Sequence, residues 1–345
     1  MRFDVAIGNP PYNNDIYIEF IHRTYDIADS VCMITPAKWW AKRDSENERF
    51  RDKFSRHISD ITYYKDAKDI FDIGEPGGIA YYLITHDVYT KIRFKSECIR
   101  NKAFESDGIE ERSADNLVLI NDKLLRIISK INNRNTFGVS ISELVGHSRQ
   151  VYVGEQDRGE ETIPTDSDRR EWAEVMQGRS CCGYKRIDEL FTVKNLFKYK
   201  CIQPCMTVQG SGDPFNKDDG LTLGSNIVSI LSPGQVPKGS FQIMAYFDSY
   251  EEAKNFKSYI NSKTMSLMQF LGVCGTQLTH SFFRYIPYEN NWSIEYVDDC
   301  PIEINADEDG VYTDTDGKTK CSLYRKFRLS TDDIEIIDNV IKQRS

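Results

Sequence analysis

Phe3-Asp-Val-Ala-Ile-Gly-Asn-Pro-Pro-Tyr12 is the stretch of sequence that decides the fold. Its first residues, up to Gly8, form a short apolar run that ends in glycine and proline, which is typical of a buried β-strand. Apolar residues at helical spacing follow over residues 16–28, and a second apolar run at 31–34 stops before Pro36. Strand–helix–strand alternation with short connections predicts an α/β fold with a largely parallel sheet.

The tetrapeptide Asn9-Pro-Pro-Tyr12 lies where such a sheet places its chemistry, because ligands of parallel sheets bind beyond the carboxyl ends of the strands. Asn9 offers a side-chain oxygen, and the two prolines hold the Pro10 carbonyl in one direction. Two fixed acceptors suit the two N–H bonds of a planar amino group and stabilise positive charge that develops on its nitrogen. Tyr12 offers a ring on which a base can stack, worth about 1–3 kcal/mol. The alternative, a proline-rich turn with a packed tyrosine, is disfavoured by the position directly after a strand.

These residues resemble the catalytic motif of the amino-methyltransferases that methylate the exocyclic amino group of adenine in DNA. Val31-Cys-Met-Ile-Thr-Pro-Ala-Lys-Trp39 is similar to the next strand of that family, and Asp69-Ile-Phe-Asp72 to the segment that contacts the extruded base. The C-terminal part resembles the target-recognition half of members of restriction–modification systems. The segments that carry this second resemblance are 197–200, 250–271, 281–287 and 323–335.

The resemblance implies a fold, a reaction and a set of roles. The fold would be the catalytic half of a Rossmann-like methyltransferase sheet, followed by a mixed α/β target-recognition domain. The reaction would be site-specific methyl transfer from S-adenosylmethionine to an adenine flipped out of double-stranded DNA. Asn9 and Pro10 would bind the amino group, and Pro11 would shape the turn. Tyr12 and Phe71 would sandwich the base.

The family's cofactor motif is missing from this sequence. The pattern Phe-x-Gly-x-Gly, which cradles S-adenosylmethionine in the arrangement that the chain resembles, lies upstream of the catalytic tetrapeptide, and here only eight residues precede Asn9. Gly210-Ser-Gly212 is followed by Asp213-Pro214 rather than by a helix, so we interpret it as a recognition-domain loop. Half a sheet would leave the first strand with an unpaired edge. We therefore expect a second polypeptide to carry the cofactor-binding half.

Changes in composition along the chain predict the domain boundaries, and the resemblance implies the role of each domain. Residues 1–100 would be the catalytic half, residues 117–295 the target-recognition domain, and residues 296–345 an acidic loop with a C-terminal helix. Residues 100–116 read as a polar linker. Capping boxes at Ser249 and Ser330 predict two helix starts.

A locally basic stretch at residues 184–200 is the predicted DNA contact. Its cations are Lys185, Arg186, Lys194, Lys198 and Lys200. The cations of 38–43 and 49–53 are either further phosphate contacts or part of a solvated helix face, and this alternative stays open. The four cysteines of 181–205 lack the spacing of a zinc site, so we expect buried thiols and no metal.

Charge and composition limit the class of protein. The chain has 345 residues, with 44 Lys and Arg against 53 Asp and Glu, a net charge of −9. This balance argues against a small basic nucleic-acid module, whereas large DNA enzymes are often basic only in a cleft. Nine cysteines without framework spacing indicate a reduced compartment, and no apolar run approaches the ~20 residues of a membrane span. We expect a cytoplasmic protein.

Two other functions remain as alternatives. The first is a catalytically inactive DNA-binding or specificity protein, or a truncated remnant of an enzyme, because the cofactor motif is missing. The second is methylation of a protein glutamine, whose amide is also a planar amino group. The long region after residue 100 argues against the second alternative.

Overall fold

The computed structural model describes residues 2–75, 77–115, 117–135, 137–143, 152–154, 156–157, 159–205, 228–272, 283–301 and 304–341. The described residues up to Ile127 form one compact unit, and those from Ile128 onward form a second.

The first unit contains a six-stranded sheet with the order β1-β2-β4-β3-β5-β6. The strands are β1 (Phe3–Gly8), β2 (Ala28–Pro36), β3 (Ile58–Tyr64), β4 (Ile79–Thr85), β5 (Lys91–Glu97) and β6 (Glu110–Ser113). The helices that begin in this part of the chain are α1 (Ile16–Ile27), α2 (Ser45–Phe54) and α3 (Asp122–Asn133). The predicted α/β class is confirmed.

The prediction of a largely parallel sheet is wrong. β1 pairs with β2 and β3 with β5 in the parallel sense, but the other three neighbouring pairs are antiparallel. The reason lies in the connection from β3 to β4, residues 65–78, which contains only a short 3₁₀ turn. Without a crossover helix the chain returns beside the strand that it has just left, which gives antiparallel pairing.

The register of the strands brings three segments to the same end of the sheet, the end at which β1 and β2 finish. Gly8 at the end of β1 is aligned with Met33 in β2, shortly before β2 ends at Pro36. Ile79, the first residue of β4, is aligned with both Pro36 and Tyr64. Three segments therefore lie at the same end of the sheet: the residues after β1, the residues after β2 and the connection 65–78.

The predicted linker at residues 100–116 is wrong, because β6 lies within it and pairs with β5. β5 itself was also missed, although Ile92 and Phe94 are fully buried between exposed or half-buried neighbours. Their alternation, Lys-Ile-Arg-Phe-Lys, is the period-2 pattern of a half-buried strand. Phe104 is buried as well, so this stretch is part of a core.

An aromatic cluster anchors α2 in the first unit. Phe50 and Phe54 are four residues apart, which places them on one face of the helix, and both are fully buried. The Phe50 ring lies 5.2 Å from the Trp39 ring, and Trp39 lies 5.6 Å from Tyr82 on β4. This packing fixes the segment that follows β2 against the sheet.

The second unit contains three small sheets, so its mixed α/β character is confirmed. Their orders are β10-β9-β12, β11-β7-β8 and β13-β15-β14. The strands are β7 (Trp172–Gln177), β8 (Ser180–Arg186), β9 (Tyr199–Pro204), β10 (Ser229–Leu231), β11 (Gln235–Pro237), β12 (Phe241–Phe247), β13 (Glu295–Val297), β14 (Val311–Thr313) and β15 (Thr319–Ser322). The helices are α4 (Tyr250–Ile260), α5 (Lys263–Gly272), α6 (Leu323–Lys326) and α7 (Thr331–Val340).

Both predicted capping boxes are confirmed. Ser249 opens α4 and exchanges hydrogen bonds with Glu252, and Ser330 opens α7 in the same way with Asp333. Within the described ranges, no helix combines the length and the apolar character that crossing a bilayer requires.

Asp333 gives a prediction about stability and pH. Its fully buried carboxylate is paired with Lys130 and accepts hydrogen bonds from the Ser330 N–H and hydroxyl. Burial acts to raise the pKa of Asp333, but the bonds from Lys130 and Ser330 outweigh it and lower that pKa to about 2. The carboxylate thus stabilises the fold above the unfolded-state pKa of about 4, and this stabilisation is lost as pH falls toward 2.

We expect Asp333→Asn to lower the free energy of unfolding by about 1–2 kcal/mol at pH 7, since Lys130 loses its partner. The difference from the unsubstituted chain should shrink between pH 4 and 2. Urea denaturation over this pH range measures both effects. Asp332→Asn, at the exposed neighbouring position, is the control and should change little; an equal loss from both variants would contradict the assignment.

Candidate active site

The tetrapeptide forms an open turn directly beyond the end of β1. Asn9 and Pro11 are exposed, Pro10 is buried and Tyr12 is half-buried. A short 3₁₀ turn, Asn13–Asp15, leads from Tyr12 into α1. The Asn9 amide is therefore accessible to a substrate, while the buried Pro10 fixes the turn that carries it.

Tyr12 is partly exposed, but its hydroxyl end is buried. The hydroxyl oxygen is buried without a hydrogen-bond partner, although the residue as a whole is partly exposed. Burial raises the pKa of Tyr12 to about 12, and the nearby Glu75 carboxylate adds to the effect. The phenol therefore stays neutral at physiological pH, and the exposed part of the side chain is ring rather than hydroxyl.

Asp15 ties the turn to the segment that follows β2. Its two carboxylate oxygens bind Lys38 at 2.7 Å and Lys42 at 2.8 Å. Burial acts to raise the pKa of Asp15, but the hydrogen bonds from both lysines outweigh it and hold that pKa below its usual value. Asn14 and Asp15 both have left-handed backbone conformations, with φ of 53° and 59°, which asparagine and aspartate tolerate better than most residues. The ion pairs therefore stabilise a turn with an uncommon backbone shape.

This arrangement bears on the alternative that residues 38–43 contact phosphate. The ammonium groups of Lys38 and Lys42 are already engaged by Asp15 within the unit. Sequence analysis did not identify Asp15, because its partners lie on another segment and no local pattern marks the pairing.

The connection 65–78 lies at the same end of the sheet and contains Phe71 and Glu75. Its end is fixed by a hydrogen bond from the Ala37 N–H to the Gly78 carbonyl at 2.9 Å. Gly78 has a φ of +72°, and a Cβ there would lie 2.4 Å from the Tyr64 carbonyl oxygen, so only glycine fits. Burial raises the pKa of the Glu75 carboxyl, which Lys38 partly opposes.

Phe71 is half-buried within this connection. Its N–H is bonded to the Ala67 carbonyl at 2.9 Å, which fixes the backbone at this point. Among the described contacts, no ring contact joins Phe71 to Tyr12, so the role of Phe71 beside a base stays a prediction.

Four of the five predicted DNA-contacting cations lie at or near the surface of the second unit. They are Lys185, Arg186, Lys194 and Lys198. Three of them are paired with aspartates, Lys185 with Asp157, Arg186 with Asp188 and Lys198 with Asp248. Such exposed pairs are worth about 0–1 kcal/mol, so a phosphate group can compete for these cations.

Lys200 is not on the surface, and its assignment as a DNA contact is corrected. Its side chain is fully buried, and its ammonium donates to the Leu196 carbonyl at 2.7 Å and the Lys198 carbonyl at 2.8 Å. Burial lowers the pKa of Lys200 to about 8. Lys200 therefore supports the turn that precedes β9 from within, rather than facing a ligand.

In the described part of the chain, the four cysteines of residues 181–205 form no disulfide. Cys201 is buried as expected, but Cys181 is exposed and Cys182 and Cys205 are half-buried, so the expectation of four buried thiols is wrong. In the part of the chain that the structure describes, no three His, Cys, Asp or Glu side chains are grouped to hold a metal ion. The Gly210-Ser-Gly212 loop lies outside the described residues.

Comparisons with known proteins give a partial match. An uncharacterised adenine-specific methylase of Mycoplasma pneumoniae is 33% identical over 99 residues, which cover 24% of this chain and 24% of the relative. The match thus spans about a quarter of the length of that relative. The solved structure of the type IIG restriction endonuclease BpuSI aligns with 85% of this chain and 47% of its own, but its TM-score of 0.33 and 10% identity are too low to support an argument. No protein-family model matches the chain.

The position of Lys200 gives a prediction about stability. We expect Lys200→Ala to lower the free energy of unfolding by about 1–3 kcal/mol, because it leaves a cavity and two buried carbonyls without their donor. Urea denaturation measures the change. Lys194→Ala, at an exposed position six residues earlier in the same basic stretch, should stay within about 0.5 kcal/mol of the unsubstituted chain. A neutral effect of Lys200→Ala would contradict the buried position.

Proposed function

We propose that this chain is the catalytic and target-recognition part of a site-specific DNA adenine methyltransferase of the Asn-Pro-Pro-Tyr type. The observation that carries the proposal is the open turn at Asn9–Tyr12, which lies beyond the end of β1 with its amide exposed. The partial similarity to an adenine-specific methylase supports the choice of reaction.

The residues of the turn act on the amino group of an adenine taken out of the duplex. The group must leave the base stack because it is otherwise engaged in pairing. The Asn9 side-chain oxygen and the Pro10 carbonyl accept hydrogen bonds from its two N–H groups. This favours a pyramidal nitrogen with its lone pair free. The same oxygens stabilise the positive charge that develops as the nitrogen attacks.

The remaining residues of the site hold the base. Tyr12 stacks on one face of the adenine and Phe71 on the other, while Pro11 shapes the turn. The partly exposed Tyr12 ring favours this role, because its buried hydroxyl leaves the ring as the accessible surface for a base. Lys185, Arg186, Lys194 and Lys198 contact the phosphates of the DNA, and their clustering in one stretch supports this assignment.

The residues of this chain do not fit the cofactor. The pattern Phe-x-Gly-x-Gly is absent from the sequence, and within the described ranges no glycine-rich loop runs from a strand into a helix. S-adenosylmethionine supplies the methyl group when it is bound. We assign its binding to a second polypeptide.

The edge of β1 supports the existence of that second polypeptide. Among the described residues, β1 pairs only with β2, and no described strand lies at its other edge. Phe3, Val5 and Ile7, which share one face of the strand, are 49%, 52% and 80% exposed. Large apolar side chains of α1 are exposed too, namely Ile16, Phe20 and Ile27. Proteins normally protect such edges with charge, proline or a covering element, so we propose that the cofactor-binding polypeptide continues the sheet here.

Asn9→Ala tests the proposed catalysis. We expect the substitution to lower adenine methylation by a factor of about 10²–10³, since one of the two oxygens that stabilise the transition state is lost. The measurement is single-molecule sequencing of DNA from cells that carry the gene with its neighbouring reading frames. Asn133→Ala, at an exposed asparagine at the end of α3, is the matched control and should leave methylation unchanged.

The outcomes of this experiment separate the alternatives. Methylation that persists in the Asn9→Ala variant refutes the role of the turn. Absence of methylation by the unsubstituted chain, with and without its neighbours, favours the inactive DNA-binding protein or remnant. Methylated glutamine in a host protein, without methylated adenine, favours the protein-directed reaction.

The edge of β1 gives a second test. The double variant Val5→Lys, Ile7→Lys places charges on the exposed face, and we expect it to abolish methylation in cells while the melting temperature stays close to that of the unsubstituted chain. Val88→Lys, at another exposed apolar residue, is the control. We also expect the purified chain alone not to bind S-adenosylmethionine in titration calorimetry; micromolar affinity would refute the need for a second polypeptide.

A further inference from the structure

The second unit contains a pocket of about 500 Å³ that sequence analysis did not anticipate. This volume lies within the range of small-molecule sites. The residues on which the inference rests come from three segments of the chain: Arg169, Arg170, Trp172, Glu174, Phe197 and Gln235.

A fixed set of polar groups forms one part of the pocket. The Glu174 carboxylate accepts from the Arg169 guanidinium at 2.6 Å and from the Gln235 amide at 2.8 Å. Gln235 is itself fixed, because its side-chain oxygen accepts from the Ser232 N–H at 2.8 Å. Arg169 also donates to the Trp172 carbonyl and lies 5.2 Å from the Tyr184 ring. The pocket therefore presents donors and acceptors in a pre-organised arrangement.

An exposed aromatic ring forms another part. Phe197 lines the pocket although 66% of the residue is exposed to solvent. The turn that carries it is held by the buried ammonium of Lys200, which binds the carbonyls on either side of Phe197. Lys194 and Lys198 flank Phe197 on the same turn. The turn therefore presents an exposed aromatic ring at the border of the pocket, a surface on which a flat ligand can stack.

Trp172 adds an unused hydrogen-bond donor. Trp172 is 7% exposed, and its indole N–H is buried without a partner. A buried donor without an acceptor costs about 1–3 kcal/mol. The pocket is therefore bordered by a residue that gains a hydrogen bond if a ligand or a small rearrangement supplies an acceptor.

The chemistry of the pocket favours a nucleobase over a simple anion. Each arginine has a carboxylate beside it, Arg169 with Glu174 and Arg170 with Asp168, so a simple anion would also meet negative charge at each of them. A base offers donors and acceptors on its edge together with a flat face for stacking. Arginine, glutamine and glutamate are the side chains that read such edges, and the flanking Lys194 and Lys198 suit the adjacent backbone phosphates.

We propose that this pocket binds one unstacked nucleotide of the DNA, with its base on the Phe197 ring and its edge toward Glu174 and Gln235. The proposal rests on the DNA-binding part of the proposed function, but it does not require methyl transfer. It assigns to Phe197 and Glu174, both in the second unit, a part in selecting the DNA site.

Photocrosslinking with the full chain tests the proposal. The probe is a duplex oligonucleotide pool in which a 5-iododeoxyuridine lies opposite an abasic site and is therefore unpaired. We expect mass spectrometry to locate the crosslink at Phe197, and a fully paired duplex of the same sequence to crosslink less. Phe197→Ala should remove this crosslink and weaken binding of the probe about tenfold in fluorescence anisotropy, as expected for the loss of one stacking contact.

Phe191→Ala is the matched control, because Phe191 is also 66% exposed but does not line the pocket. It should retain both the crosslink and the affinity, and thermal melting should show that both variants are folded. Binding of the probe with crosslinks only outside the pocket, and no effect of Phe197→Ala, overturns the inference while the proposed DNA methylation stands. A crosslink at Phe197 with free 5-iododeoxyuridine monophosphate but none with DNA also overturns it, in favour of a mononucleotide site. Failure to bind any DNA overturns both proposals.

Discussion

The ion pairs of Asp15 with Lys38 and Lys42 are the interaction on which the candidate active site depends. They join the turn after β1 to the segment after β2, and both segments lie at the same end of the sheet. Two consecutive left-handed residues would be costly in a free loop. The lysines offset that cost and hold the turn that carries Asn9 and Tyr12 directly beyond the end of β1.

Much of the local structure could be predicted from the sequence. The strand before Asn9, the helix after it and the capping boxes at Ser249 and Ser330 depend on residues that are close in the chain, so their patterns are visible. The position of β4, antiparallel between β2 and β3, depends on how distant segments pair, and no local pattern specifies it. β5 is different, because its alternation was visible and the polar residues after it concealed the signal.

The candidate site also contains some residues that the local sequence identifies and others that only the fold reveals. Asn9, Pro10, Pro11 and Tyr12 could be selected as candidates because the motif consists of four consecutive residues. Lys200 has the same local signature as Lys194, a lysine in a basic stretch, and only the fold shows that one is buried and the other exposed. The polar set around Glu174 joins residues far apart in the chain, so no reading of neighbouring residues reveals it.

The edge of β1 that no described strand covers has a consequence for the cell. If the proposed second polypeptide adds a strand to β1, assembly is bimolecular, so the assembled fraction rises with the amount of that polypeptide. Chains left unassembled can then pair with one another through the same edge. Balanced synthesis of the two polypeptides would then govern how much functional assembly accumulates. In that arrangement, gene order and translation rate would affect activity as directly as a side chain of the candidate active site.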